Sequence, residues 1–460
     1  MPSYSFDHAT NCNAVWLKYL PQSFRSKLYD RHNLQALIGN SGWLAADKII
    51  RGGGGLVLAA WIARYLGPDS FGQLSFAIAF VALFSAIATL GLDAIVVRDL
   101  VRNPENKDEI LGSVFQLKLI GGCLAFFLVL TAIWMIRPSD SRAQWLIGII
   151  AAGMMFQAFD VADLWFQSQV RSRATVLARN IAFLVLAGIK VGLILTGASV
   201  MAFAWAATAE IMIGAVGLIM AFEVTGQLWR NLRPRLSRTL SLIAESWPQL
   251  LAGIAMVVYS RIDQVMLAQM MGDRDVGLYS AAIRLSEVWN VIPAIIVSTV
   301  MPSITKYRSR SMDLYYERLR RLYTVMARAA YAIAIPMTFL AGPLITLFYG
   351  EPYRAAGVVL AVHIWSTMFV FLGVATTPWS INEGTMKITL YQGILGAICN
   401  ILLNLSLIPL YGAVGCAIAT TISYGFCAWI LNGCFPKTRE IFRMQTRSLL
   451  AGLNICSYRA

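Results

Sequence analysis

The sequence predicts an all-α integral membrane protein of about twelve transmembrane helices, in two parallel six-helix lobes related by a pseudo-two-fold axis along the membrane normal. Three observations predict it: apolar runs of spanning length recur from about Gly42 to Phe435, basic residues gather in every second gap between them, and two motifs recur six helices apart. Composition agrees. Of 460 residues, 58% are hydrophobic and 13% charged, with mean hydropathy +0.63, above the apolar share and below the charged share of an average soluble domain.

A bilayer core takes about 20 apolar residues per helix. This places spans 1 to 12 at 42-65, 72-96, 111-136, 144-166, 174-196, 199-222, 245-271, 277-304, 323-349, 355-380, 388-410 and 412-435. The chain then divides into an N-terminal extension (1-41), an N-lobe (42-222), a basic linker (223-244), a C-lobe (245-435) and a basic tail (436-460). Residues 1-41 show no apolar core followed by a small-residue cleavage site, so no removable signal peptide is expected. Val15 to Leu28 mixes apolar and basic residues, and reads either as a short surface helix or as a basic tail.

The basic residues give the spans a direction. With the N-terminus cytoplasmic, 25 Lys and Arg fall on the inside and 5 on the outside (Arg64, Arg137, Arg142, Arg274 and Arg354). That bias follows the positive-inside rule and puts both termini in the cytoplasm. It also accounts for the net charge of +14 without a nucleic-acid partner, since basic loops beside anionic lipid are topological signals. The seven cysteines show neither C-x-x-C spacing nor a disulfide framework, and those within spans read as small apolar packers. No catalytic residue, metal or cofactor is expected.

The end of span 1 and the end of span 7 both fit A-x-x-[LM]-G-x4-G-x2-S-x-A, from Ala63 through Gly67, Gly72 and Ser75, and from Ala268 through Gly272, Gly277 and Ser280. A second echo joins Gly197, Ala198, Ala202 and Ala204 to Gly412, Ala413, Ala417 and Ala419. Two matches in the same order argue for a duplicated six-helix unit. Because six is even, the copies are parallel, an architecture of transporters that hold substrate near the midplane.

Charges inside the spans cost on the order of 3 kcal/mol each at the bilayer centre, so they should face a watery cavity or one another. The basic set is Lys48, Arg51, Lys118, Arg179, Lys190, Arg261 and Arg284, with Arg328 set aside because it lies near the inner boundary and can snorkel, as can the acidic Glu245. Spread over several depths and both lobes, these cations suit an anionic substrate such as a phosphate or pyrophosphate, although each could instead belong to a buried ion pair. The acidic set is Asp47, Asp160, Asp163, Glu210, Asp263 and Glu287. Of these, Asp47, Asp160, Asp163, Asp263 and Glu287 are the candidates for exchanging a coupling proton or sodium ion. Asp47 and Arg51 share a helix face, as do Arg284 and Glu287, whereas Arg261 and Asp263 point apart and need separate partners. His363 in span 10 reads as a satisfied core group rather than a proton carrier. Gly52, Gly53, Gly54 and Gly55 follow Arg51 directly and mark either a hinge or a close helix contact. Pro248, Pro293 and Pro336 are further kink candidates.

Several of these segments resemble the Wzx-type flippases of the polysaccharide transporter family, in the superfamily that also holds multidrug extruders and the lipid II flippase. The resemblance rests on Trp43 to Arg51, Ile62 to Gly72, Asp163 to Gln167, Arg261 to Gln264, Gly277 to Ala282, Glu287 with Pro293, and Asn400 to Gly412. The glycine run departs from the bulkier residues expected after Arg51. The resemblance implies translocation of an undecaprenyl-pyrophosphate-linked oligosaccharide from the inner to the outer face of the plasma membrane by alternating access. Its expected partners are that glycolipid, membrane lipid, a polysaccharide polymerase and a chain-length regulator. A drug/cation antiporter of the same superfamily is the nearest alternative, but it would favour an acidic cavity. A membrane polymerase or ligase would need catalytic groups on a large outside loop, and the outside connections here are short.

Overall fold

The computed structural model describes residues 50–170 and 172–453. Asp47, Lys48, the Val15 to Leu28 segment, Cys12 and Cys456 lie outside the described residues. Among the described residues, nine helices are long and apolar enough to cross a membrane, and a tenth span is bent by 43°. Two of these runs reverse at a single residue, Gly67 (φ 71°) and Gly412 (φ 54°), which hold left-handed backbone that side chains resist. Dividing the runs there gives twelve spans among the described residues: α1 (50–66), α2 (68–102), α3 (Lys107–Ile136), α4 (Ser141–Ser168), α5 (Ser172–Leu195), α6 (Val200–Val224), α7 (Leu236–Met270), α8 (Asp273–Arg308), α9 (Met312–Tyr349), α10 (Ala356–Asn382), α11 (386–411) and α12 (413–434). No residue among those described forms a strand.

The motif glycines have the same backbone in both halves, with positive φ at Gly67 and Gly272 and again at Gly197 and Gly412. Their partners meet across the lobes. A Cβ on Gly72 would stand 1.7 Å from the Asp273 carbonyl oxygen, and one on Gly277 would stand 2.0 Å from the Pro68 carbonyl oxygen. Pro68 and Asp273 hold equivalent places in the repeat, so the contact is reciprocal, as a two-fold axis requires. Around it, Tyr353 donates to the Ala63 carbonyl at 2.8 Å, and Arg137 reaches Asp273 at 3.2 Å and the Ala268 carbonyl at 3.0 Å. The lobes are therefore closed on the face opposite the basic connections.

Several spans are interrupted partway. Short 3-10 turns break α4 at Gln157–Asp160 and α8 at Val288–Asn290, and α2 breaks into Ser85–Thr89 and Asp93–Arg102. Asp160, Glu287 and Asp93 stand at these breaks, where freed backbone groups need polar company. Pro293 follows the α8 break directly, whereas Pro248 and Pro336 sit inside continuous helices. The glycine run forms a π-helical turn, Ile50–Gly54, that leads into α1. Only Gly54 in it has a close neighbour, the Phe183 ring at 3.5 Å from its would-be Cβ.

The basic linker is docked on the N-lobe. Helix α7 begins at Leu236, nine residues before the expected span, because its first turns pack on protein. Trp229 packs among Phe115, Phe159 and Phe222. Gly112 lets the Arg233 backbone approach, and Ser113 accepts the Arg235 N–H at 3.1 Å. Arg98 joins Glu245 at 2.5 Å, and Arg238 pairs with the buried Asp99.

The basic tail also has structure. After a turn at Pro436–Thr438, helix α13 (Arg439–Leu453) runs back antiparallel to α12. Phe442 stacks on Trp429 at 5.8 Å, and Trp429 donates to Thr446 at 3.0 Å. Gln445 accepts from Asn432 at 3.2 Å, which in turn accepts from Gln392 at 2.8 Å. Tyr331 of α9 donates to the Leu449 carbonyl at 3.3 Å.

Candidate functional site

Depth pairs the intramembrane charges of the N-lobe. In an antiparallel hairpin, residues about equally far from the turn lie side by side; two pairs obey this, while a third, Lys190 with Glu210, joins positions five and ten residues from the turn between Leu195 and Val200. Lys118 of α3 meets Asp93 of α2 at 2.7 Å, Arg179 of α5 meets Asp160 and Asp163 of α4 at 3.1 Å each, and Lys190 of α5 meets Glu210 of α6 at 2.7 Å. Gln167 adds a hydrogen bond to Asp163 at 3.0 Å. The Lys118 side chain is only 2% exposed, while that of Asp93 is 57% exposed. Asp93, and Asp99 in its pairs with Arg98 and Arg238, are ion-pairing carboxylates that sequence reasoning missed.

The C-lobe is arranged differently. Asp263 of α7 is buried with no cation bonded to it. It accepts from the Tyr279 hydroxyl at 2.5 Å, the Gln264 N–H at 2.7 Å and the Thr420 hydroxyl at 3.4 Å. Three donors to one carboxylate compensate its charge without a counter-ion. Close by, Ser286 and His363 Nδ1 share a hydrogen bond at 3.0 Å, so His363 is the satisfied core group its sequence context suggests. Asn404 donates to Asn400 at 2.9 Å and Asn400 to Ser423 at 3.1 Å, which ties α11 to α12.

Three of the seven candidate cations remain without a carboxylate partner among the described residues. Arg51, at the basic end of α1, and Arg261, nine residues before the end of α7, are both half-buried and make no ion pair or hydrogen bond there. Arg284 of α8 stacks over the Phe71 ring of α2, 5.5 Å from its centroid, and so reaches across the lobe interface. Arg261, Arg284 and Glu287 are close enough to interact electrostatically, yet no ion pair closes among them. Glu287 is exposed and makes no hydrogen bond among the described residues. No group of three or more His, Cys, Asp or Glu side chains is gathered around a metal position among the described residues.

The chain is similar to known proteins along most of its length. Residues 37–308 match the family described as polysaccharide biosynthesis protein, and residues 248–406 match the MatE family. Among curated relatives, a probable flippase, AglR, of Haloferax volcanii is 26% identical over 54% of this chain, a match spanning about half (52%) of that relative's own length. A putative O-antigen transporter of Shigella dysenteriae is 23% identical over 79% of this chain and 91% of its own. Among solved structures, the lipid II flippase MurJ in an inward closed conformation superposes with a TM-score of 0.69 at 15% identity, covering 92% of this chain and 94% of that one. An inward-facing multidrug resistance MATE family transporter gives 0.68 at 16% identity, covering 88% and 95%. These likenesses establish the twelve-helix, two-lobe fold, and the match over residues 37–308, more than half of the chain, places the protein in the polysaccharide biosynthesis protein family.

Proposed function

We propose that the chain is a flippase that moves an undecaprenyl-pyrophosphate-linked oligosaccharide from the cytoplasmic to the outer face of the plasma membrane by alternating access, for O-antigen, capsule or exopolysaccharide synthesis. Both termini then face the cytoplasm. The observation that carries this reading is the set of arginines without a carboxylate partner among the described residues, Arg51, Arg261 and Arg284. Two guanidiniums of one lobe held near each other without a bonded counter-ion repel, and a pyrophosphate relieves that repulsion while matching the bidentate fork of each. A cationic drug would meet the same repulsion, which disfavours the antiporter reading. Lys118, Arg179 and Lys190 are assigned to holding the N-lobe hairpins rather than to the headgroup, because each already meets a carboxylate.

The test is surface polysaccharide in a strain whose own copy is deleted. Arg51→Ala, Arg261→Ala and Arg284→Ala should each lower polymer about 10-fold or more with the protein still inserted, the loss expected for a charge-assisted bond to phosphate. Lys at the same positions should restore part of it. Wild-type polymer in well-expressed alanine variants would remove the headgroup role.

Coupling is proposed at Glu287. Asp160 and Asp163 are held by Arg179, and Asp263 is enclosed by its three donors, whereas Glu287 is exposed beside Arg261 and Arg284. Protonation or sodium binding there would change the net charge that the headgroup meets. In proteoliposomes, a proton or sodium gradient should accelerate flipping, and Glu287→Gln should abolish the acceleration but keep basal flipping. Equal rates with and without gradients would leave a passive facilitator.

A further inference from the structure

We infer that helix α13 forms a binding surface for anionic phospholipid headgroups in the leaflet on the basic side of the protein. Its inner face is spoken for: Ile441, Met444, Gln445 and Ser448 are buried against the C-lobe. Its outer face carries Arg439, Arg443 and Arg447, all exposed and one helical turn apart, with exposed Lys437 just before them and Leu450 just beyond. Spacings of four put these guanidiniums in one stripe. Among the described residues the one carboxylate paired with them is Glu440, 3.6 Å from Arg443 and 3.7 Å from Arg320 of α9. Five cations against one carboxylate leave the patch strongly positive, and like charges at this spacing destabilise a helix unless an anion joins them.

The position decides which anion. Because α13 returns antiparallel to α12, the stripe runs inward from the basic connections, rising about 12 Å from Arg439 to Arg447. Its first turn meets Arg320, just before the expected start of span 9 at 323, and its far end, past Arg447, turns apolar at Leu450. A phosphodiester with acyl chains fits that order: guanidinium forks for the phosphate, then aliphatic surface for the tails. The surface lies on the outside of the C-lobe, away from Arg261 and Arg284, so this inference does not depend on the flippase reading.

The full chain in nanodiscs of phosphatidylcholine with phosphatidylglycerol tests it, with bound lipid counted by native mass spectrometry. Wild type should retain phosphatidylglycerol over phosphatidylcholine by about fivefold or more. R439Q/R443Q/R447Q should lose that preference, and the triple Lys variant should keep much of it. Equal retention of the two lipids by wild type, or an unchanged preference in the Gln variant, would overturn the inference. Loss as complete in the Lys variant as in the Gln variant would assign the effect to packing and overturn it too. In a third arm, undecaprenyl pyrophosphate is added to the same discs. If it displaces phosphatidylglycerol from wild type, the stripe is a docking site for the glycolipid and the phospholipid assignment falls; if phosphatidylglycerol stays bound, the assignment stands.

Discussion

Gly72→Val is expected to abolish surface polysaccharide, and Gly277→Val should do the same. A side chain at either place meets backbone, since the Asp273 and Pro68 carbonyl oxygens stand at 1.7 and 2.0 Å from the two would-be Cβ atoms. No rotamer change relieves a backbone clash, so the lobes must part on this face. Alternating access requires that face to close in turn, and a lobe pair that cannot close there cannot complete a cycle. The same substitution should leave a chemical trace. Ser280 is 3% exposed next to the contact; as Ser280→Cys it should be protected from a membrane-impermeant maleimide, and adding Gly72→Val should make it react. Gly192→Ala, with open space around it, is the control and should leave both readouts unchanged. Full polymer together with a protected thiol in the double variant would show that the glycine contact is not the closing surface.

What was legible in the sequence, and what was not, divides by the kind of force involved. The spans were legible because lipid satisfies no backbone group and accepts only long apolar helices. The turn at Gly67 and its counterpart at Gly272 were legible because a left-handed residue almost demands glycine. The partners of the charges were less so. Lys118 has no partner named from the sequence because Asp93 lies close to the expected inner boundary of its span and does not register as an intramembrane charge. Matching depths across each hairpin would have found Asp93 with Lys118 and Asp160 with Arg179, but not Glu210 with Lys190, which lie at unequal distances from their turn. No such rule finds the contact of Arg284 with Phe71, which joins two lobes far apart in the chain. The basic tail is less legible as a helix, because its apolar inner residues Ile441 and Met444 alternate with polar Gln445, which meets Asn432 of α12, and with Ser448, which bonds its own helix.

The Lys118–Asp93 pair should respond asymmetrically to the removal of its two partners. Removing one member of a buried pair is costly when the charge left behind is itself buried, on the order of 3 kcal/mol or more. Here the two ends differ: Lys118 is 2% exposed and Asp93 is 57% exposed. Asp93→Asn leaves an ammonium group deep in the N-lobe with its bonded carboxylate gone. Lys118→Met leaves an aspartate that water can reach, and fills the cationic stem's place with a side chain of similar length. Asp93→Asn should therefore lower the thermal midpoint of the purified protein in detergent clearly, Lys118→Met much less, and the double variant should lie near Lys118→Met rather than below both. If Lys118 were instead a free cation awaiting a headgroup, the order would reverse in transport: Lys118→Met would abolish surface polysaccharide, and Asp93→Asn would leave it intact. Measuring midpoint and polymer in the same three variants separates a structural pair from a substrate ligand.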